Sequence, residues 1–177
     1  MILGTTGEAS TISMEERTKI ILKSVETVNG AFPIIIGAGA IQTNDVIKLC
    51  NHAKECGADA SLVITPYYVK PPQRALVTHF NRIANEVSFP MILYNCPGRT
   101  GVDMNIDTTA ELSLHPMIIG VKDASGDNSR VDPLRKKCGK DFLLFSGEDD
   151  SGCAFVSLGG DGVISVTANV APRSMHK

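Results

Sequence analysis

Met117-Ile-Ile-Gly-Val121, with Lys122-Asp123 directly behind it, is the stretch that decides the fold. The run is short, rich in β-branched residues and without a polar side chain, so both of its faces demand cover. A strand buried in a parallel sheet reads this way, whereas a half-exposed strand would alternate. Five further runs share the pattern: Pro33-Ile-Ile-Ile-Gly37, Ser61-Leu-Val-Ile-Thr65, Pro90-Met-Ile-Leu-Tyr94, Phe142-Leu-Leu-Phe-Ser146 and Gly162-Val-Ile-Ser-Val166. Helical stretches lie between them, among them Met14 to Val28, Asn44 to Glu55, Pro72 to Val87 and Ile106 to Leu114. In the first, Ile20, Ile21, Ser24, Val25 and Val28 fall on one helical face. Gly30, Gly57 and Gly139 stand where a helix end is released into the next strand.

Strand starts are roughly 20–29 residues apart, the length of one strand-helix unit. With Met1-Ile2-Leu3 as the end of another strand, the pattern predicts seven strands alternating with helices. Either a doubly wound sheet or a (β/α)8 barrel satisfies that alternation. The polar and glycine-rich segments decide between them. Gly4-Thr-Thr-Gly-Glu8, Tyr67-Tyr68, Tyr94-Asn-Cys-Pro-Gly-Arg99, Lys122-Asp123 and Gly147-Glu148-Asp149 each follow a strand directly. A barrel gathers the loops of all its strands on one face, while a doubly wound sheet concentrates them at a switch point. The expectation is an α/β fold, one partial (β/α)8 TIM barrel over residues 1–177. A full barrel takes about 250 residues, so this chain lacks room for the eighth strand and the closing helices.

Composition narrows the function. The 17 Lys and Arg against 19 Asp and Glu give a formal net charge of -2, so no general basic field attracts nucleic acid or an anionic membrane. No apolar run approaches the roughly 18 residues of a membrane span, and the start does not read as a signal peptide. Five cysteines without close pairing argue against a disulfide scaffold, and no Cys/His pairs make a zinc site. These features point to a cytoplasmic protein with reduced thiols.

Lys122 is the leading candidate for chemistry. At the mouth of a barrel, with its stem among apolar neighbours, burial would disfavour its ammonium form and free an amine to attack a carbonyl. Position alone leaves open a lysine that merely ends a strand and reaches solvent. Tyr94 ends the preceding strand and could exchange protons with a Schiff-base adduct, or simply cap the core. Arg99 follows the turn-forming Cys96-Pro-Gly98 and could aim a planar fork at a substrate carboxylate, or lie on the surface. Thr5 and Thr6, between two glycines, offer hydroxyls and N–H groups to an anion, or serve as a turn and helix cap.

Three other signals carry less. Gly37-Ala-Gly-Ala-Ile-Gln42 imitates a dinucleotide fingerprint but has Gln42 where the third glycine belongs. Glu148-Asp149-Asp150 lacks the further ligands a magnesium site needs. His52, His79, His115 and His176 are scattered without ligand or triad spacing and read as surface or core residues.

Read together, five stretches resemble the dihydrodipicolinate synthase family of pyruvate-dependent, class I aldolase-like lyases, which includes N-acetylneuraminate lyase. They are Gly4-Thr-Thr-Gly-Glu8, Thr65-Pro-Tyr-Tyr68, Tyr94-Asn-Cys-Pro-Gly-Arg-Thr-Gly101, Gly120-Val-Lys-Asp-Ala-Ser-Gly126 and Gly162-Val-Ile-Ser-Val-Thr-Ala-Asn169, in the family's order and spacing from end to end. The resemblance implies a TIM barrel that condenses pyruvate with L-aspartate 4-semialdehyde on the way to lysine and diaminopimelate, without cofactor or metal. Lys122 then resembles the Schiff-base lysine, Tyr94 the general acid/base, and Thr5 and Tyr68 the rest of a proton relay. Tyr68 is the residue that the family lends to a neighbouring subunit, which implies a homo-oligomer, a dimer or tetramer. Thr6 resembles the holder of the pyruvate carboxylate, Arg99 that of the semialdehyde carboxylate, and Gly147 and Ile164 line the pocket with backbone.

Thr5 together with Arg99 separates this pattern from the sialic acid and keto-deoxy sugar acid lyases, the alternative enzymes. A non-catalytic remnant is the alternative of a different class. Cys96, Asp123 and Glu148 stand where Val, Glu and Asp are frequent. Ile41, Met14 and Arg17 depart from the pattern of lysine-sensitive members, implying weak feedback by lysine. The family's first strand and helix, and its segments after Lys177, lie outside this sequence, so the barrel is expected not to close by itself.

Overall fold

A computed structural model describes residues 1–175; His176 lies outside the described residues. Six parallel strands form one sheet in the order of the chain: β1 (Ile35–Gly37), β2 (Ala60–Ile64), β3 (Met91–Asn95), β4 (Ile118–Asp123), β5 (Leu143–Ser146) and β6 (Gly162–Val163). Helix α1 (Met14–Val28) precedes β1, and α2 (Thr43–Glu55) and α3 (Gln73–Val87) make the next two crossings. Between β3 and β4 lie the short α4 (Pro97–Thr100) and α5 (Ile106–Leu112). Then follow α6 (Val131–Cys138), α7 (Gly152–Ser157) and, after β6, α8 (Pro172–Met175). Every strand pairs with its sequence neighbour and the order never reverses. A doubly wound sheet needs such a reversal, so the progression is that of a partial barrel.

Period-two alternation explains why each strand run is apolar on both faces. One set of side chains, including Ile36, Val63, Leu93, Val121 and Leu144, packs outward against Leu76, Phe80, Ile83, Leu112 and Leu134 of the helices. The alternate set, Leu62, Ile92, Tyr94, Cys96 and Ala124, forms a second, smaller core on the inner face. The helix ends follow local chemistry. Ser13 and Glu16 make a reciprocal capping box at the start of α1. Gly30, Gly57 and Gly139 adopt φ of +75°, +88° and +87°, as their places at helix ends require.

Three expectations need correction. Met1-Ile2-Leu3 is a single bridge rather than a seventh strand: Ile2 donates to the Ile35 carbonyl and accepts from Gly37, each at 2.9 Å. Leu3 then turns into the left-handed region at φ 55°, which leaves one residue to pair. The last strand stops at Val163 instead of Val166. Ile164 still donates to the Ser146 carbonyl at 2.9 Å, but the Asp149 carboxylate takes the N–H groups of Val166 and Thr167 and curls the chain away. On α1 the inward stripe begins with Arg17 and Ile21, both buried, while Ile20 faces solvent.

Candidate active site

Strands β3 and β4 pair in register, which sets Tyr94 opposite Lys122 and Asn95 opposite Asp123. The Lys122 ammonium nitrogen lies 4.3 Å from the centroid of the Tyr94 ring. Both side chains are buried, at 8% and 7% exposure, although both carry polar tips. A side chain on Gly147 would put its Cβ 2.9 Å from Lys122 Cε and 2.6 Å from Ala124 Cβ. The bare glycine therefore gives the lysine stem its space.

Burial lowers the Lys122 pKa, and the nearby Arg99 guanidinium pushes the same way. Cys96, Glu148 and Asp149 oppose the shift without reversing it. Tyr94 moves upward from its ordinary value, first through burial and then through its hydrogen bond to Cys96. The Thr5 hydroxyl and the Arg99 charge pull it back. The pair is thus an amine freed toward its neutral, nucleophilic form beside a phenol that keeps its proton.

Beside them opens a cavity of about 510 Å³, walled by Thr5, Tyr94 and Arg99 with Leu3, Ile12, Leu62 and Ile64. Thr5 enters in a 3-10 turn, Thr5–Gly7, that leaves the bridge at Ile2 directly. Arg99 stands on α4, whose start is set by Cys96 and Pro97. There Thr100 donates to the Cys96 carbonyl at 3.0 Å and accepts from the Val102 N–H at 3.1 Å, keeping the turn tight while Arg99 stays exposed.

The sequence candidates separate into two groups. Thr5, Tyr94 and Arg99 share the cavity, Lys122 joins them through Tyr94, and Gly147 packs on Lys122. Ile164 is tied by its backbone to Ser146, the residue paired with Asp123. Thr6 is exposed in the turn beside Thr5 and is not part of the cavity wall. Tyr68 also stays away: it is 86% exposed, at φ 70°, while its neighbour Tyr67 lines the cavity. Arg17, not among the catalytic or substrate-binding candidates, lines the same cavity, 4% exposed, donating to the Gly37 carbonyl at 2.7 Å. A cation at i, i+4, i+8 with Ile21 and Val25 on the apolar face of α1 was the available signal.

The lesser signals have structural explanations. A Cβ on Gly37 would sit 1.9 Å from the Leu3 carbonyl oxygen, and one on Gly39 2.4 Å from Ile64 Cγ2. Those glycines admit close neighbours, and no dinucleotide is needed to account for them. Asp149 ends as the cap of the turn after β6, accepting from Thr167 N at 2.8 Å. His52, His79 and His115 are paired with Thr18, Thr43 and Asn85. Among the described residues no three His, Cys, Asp or Glu side chains cluster to hold a metal, and no helix is long and apolar enough to cross a membrane.

Known proteins resemble this chain along its length. The model of the dihydrodipicolinate synthetase family matches residues 1–177. The 4-hydroxy-tetrahydrodipicolinate synthase of Aromatoleum aromaticum is 49% identical over the whole chain, which covers 61% of that protein. That of Pseudomonas aeruginosa is 49% identical, with 98% of this chain and 59% of the relative covered. Among solved structures, the dihydrodipicolinate synthase of Acinetobacter baumannii in complex with pyruvate superposes with a TM-score of 0.95. It is 48% identical, with 98% of this chain and 60% of that one covered. A monomeric dihydrodipicolinate synthase variant superposes equally well, TM-score 0.95 at 39% identity, over 98% of this chain and 59% of its own. The chain thus spans about 60% of the length of the relatives it matches. With its whole length matched and half its residues shared with such relatives, the chain belongs to the dihydrodipicolinate synthetase family.

Proposed function

We propose that this chain carries the catalytic face of a 4-hydroxy-tetrahydrodipicolinate synthase, which condenses pyruvate with L-aspartate 4-semialdehyde in lysine and diaminopimelate biosynthesis. The observation that carries the proposal is the buried, in-register pair of Lys122 and Tyr94, 4.3 Å from amine to ring. Lys122 attacks the pyruvate ketone, and water leaves as the Schiff base forms. The iminium withdraws electrons, so a methyl proton departs and an enamine results. The enamine carbon attacks the semialdehyde carbonyl. The amine of the new chain then displaces Lys122 as the ring closes.

Tyr94, which burial keeps protonated, donates and recovers protons together with Thr5. Thr6 holds the pyruvate carboxylate. Arg99, exposed at the cavity wall, receives the carboxylate of the semialdehyde. Gly147 and Ile164 contribute backbone. Tyr68 completes the relay in a neighbouring subunit, a role supported by its outward position, and the active assembly is a homodimer or a tetramer built from it. The five free cysteines fit a reducing cytoplasm.

Incubation with pyruvate and borohydride, followed by intact mass and peptide mapping, tests the central step. A reduced pyruvate adduct on Lys122 is the expected result. A folded chain that yields none refutes the proposal. Arg99→Ala should abolish use of the semialdehyde and leave the pyruvate adduct in place; loss of both would assign Arg99 another role.

A further inference from the structure

Directly behind the reactive pair, the strand ends are tied together on their other face. Asn95 and Asp123 follow Tyr94 and Lys122, point to the opposite side by alternation, and are 0% and 5% exposed. Arg130, in the turn leading into α6, donates from Nε to Asp123 Oδ2 at 2.9 Å and from an Nη to the Met104 carbonyl at 2.7 Å. Its other Nη lies 3.6 Å from Asp103 Oδ1. Asn95 closes the ring, donating to Asp103 Oδ1 at 2.8 Å and accepting from the Met104 N–H at 2.9 Å. The second oxygen of Asp123 accepts from the Ser125 N–H at 2.9 Å. Every polar group of Asn95 and Asp123 that faces away from water thus has a partner.

We infer that Arg130 is a positioning residue of the reaction: through Asp123 it fixes the strand end bearing Lys122, and through Asp103 and Met104 it fixes the segment between Tyr94 and α5 that carries Arg99. The inference rests on the Schiff-base reading above. A planar guanidinium suits the task because its nitrogens point in fixed directions to two different segments, Asp123 on one side and Asp103-Met104 on the other, which a lysine cannot reproduce. Neither Arg130 nor Asp123 enters the cavity, so the effect reaches the reaction only through geometry. Reactions between held groups are sensitive to such geometry: about 1 Å of misplacement costs on the order of a hundredfold in rate.

The test measures the rate of borohydride trapping of pyruvate at Lys122 in the full chain. Arg130→Met is expected to slow trapping by about a hundredfold and Arg130→Lys to recover only part of that loss. Removing the cation alone strands the buried Asp123 charge and endangers folding. The double variant Asp123→Asn/Arg130→Met therefore carries the same prediction without that charge. Asp161→Asn is the control, because Asp161 pairs with Arg135 at 2.7 Å and accepts from the Leu144 N–H, a partly buried tie that includes none of the Arg130 partners. It should lower thermal stability and leave the trapping rate intact. Wild-type trapping in the double variant, or slowing in the control that tracks its lost stability, overturns the inference.

A second readout does not require pyruvate chemistry. The pH midpoint for reductive methylation of Lys122, which lies over the Tyr94 ring and has Cys96, Arg99, Glu148 and Asp149 as neighbours in charge, should rise toward that of an exposed lysine in the double variant. An unchanged midpoint also overturns the inference. Absence of any adduct in the parent chain would refute the Schiff-base reading by itself, and the methylation midpoint would still decide the role of Arg130.

Discussion

The middle of the sheet and its margins are written in the same residues, yet they fold into different surroundings. Every residue of β3 and five of the six in β4 are buried, and the two strands pair from Met91–Ile118 to Asn95–Asp123 with one shift of register at Ile119. At one margin β6 is two partly buried residues, followed by Val166 and Val170 at 51% and 86% exposure. At the other, β1 has only the single bridge at Ile2 on its outer side, though Ile36 and Gly37 are buried there. Apolar strand sequence therefore does not by itself confer burial; packing by the surrounding strands and helices together does. The chemistry lies in the middle, because exclusion of water is what lowers the pKa of an amine and raises that of a phenol. Lys122 and Tyr94 stand on β4 and β3, among the strands best covered.

The largest expected effect removes the central amine. Lys122→Arg should bring pyruvate trapping down to background while the chain stays folded, since a guanidinium remains protonated and cannot attack a carbonyl. Intact mass after borohydride decides the outcome, and an adduct elsewhere on the chain would move the nucleophile away from the middle strands. Tyr94→Phe should come next. Exchange of pyruvate methyl protons with deuterium, followed by NMR, should slow by about 10²- to 10⁴-fold as proton transfer is lost. Trapping at Lys122 should persist. If exchange is unaffected, Tyr94 is packing rather than a proton donor.

A third experiment sharpens the contrast directly. Leu93→Ala empties a fully buried position on β3 and should cost about 2–5 kcal/mol in denaturant unfolding. Val163→Ala, on partly buried β6, should cost about 1 kcal/mol or less. Equal costs would show that the margin is covered as well as the middle and would remove the basis of the comparison.

The same contrast explains what the sequence made legible. Helix α1 falls on the expected Met14–Val28, and α2 and α3 begin one residue to either side of expectation, because caps and period are local properties. The middle strands were readable because their neighbours satisfy the cover that an apolar run demands. At the margins turn chemistry at Leu3, which stays buried, and the Asp149 cap before the exposed Val166 end the strands early. Lys122, Tyr94 and Arg99 could be nominated from their places after strands. Arg130 could not, since its partners Asp103, Met104 and Asp123 meet it only in three dimensions. Tyr67 and Tyr68 are adjacent in the chain, and a left-handed φ at Tyr68, not residue type, sends one to the cavity wall and the other outward.

The smallest effect concerns the seam where the β1 margin joins the middle. His79 on α3 is buried, bonded through Nδ1 to Thr43 Oγ1 of α2 at 2.9 Å, with no partner for Nε2. Burial lowers its pKa from 6.5 to about 4. Between those values the unfolded chain binds a proton that the folded chain refuses, so stability falls as pH drops from 6.5 to about 4 and the loss is complete below. The shift corresponds to at most about 3 kcal/mol. A proton on Nε2 would place an unpaired donor and a charge between α2 and α3. Protection of β1 and α2 amides against hydrogen exchange should therefore fade in acid before that of β3 and β4. His79→Gln should flatten this part of the stability–pH curve, and simultaneous loss of protection throughout the sheet would show that margin and middle unfold as one unit.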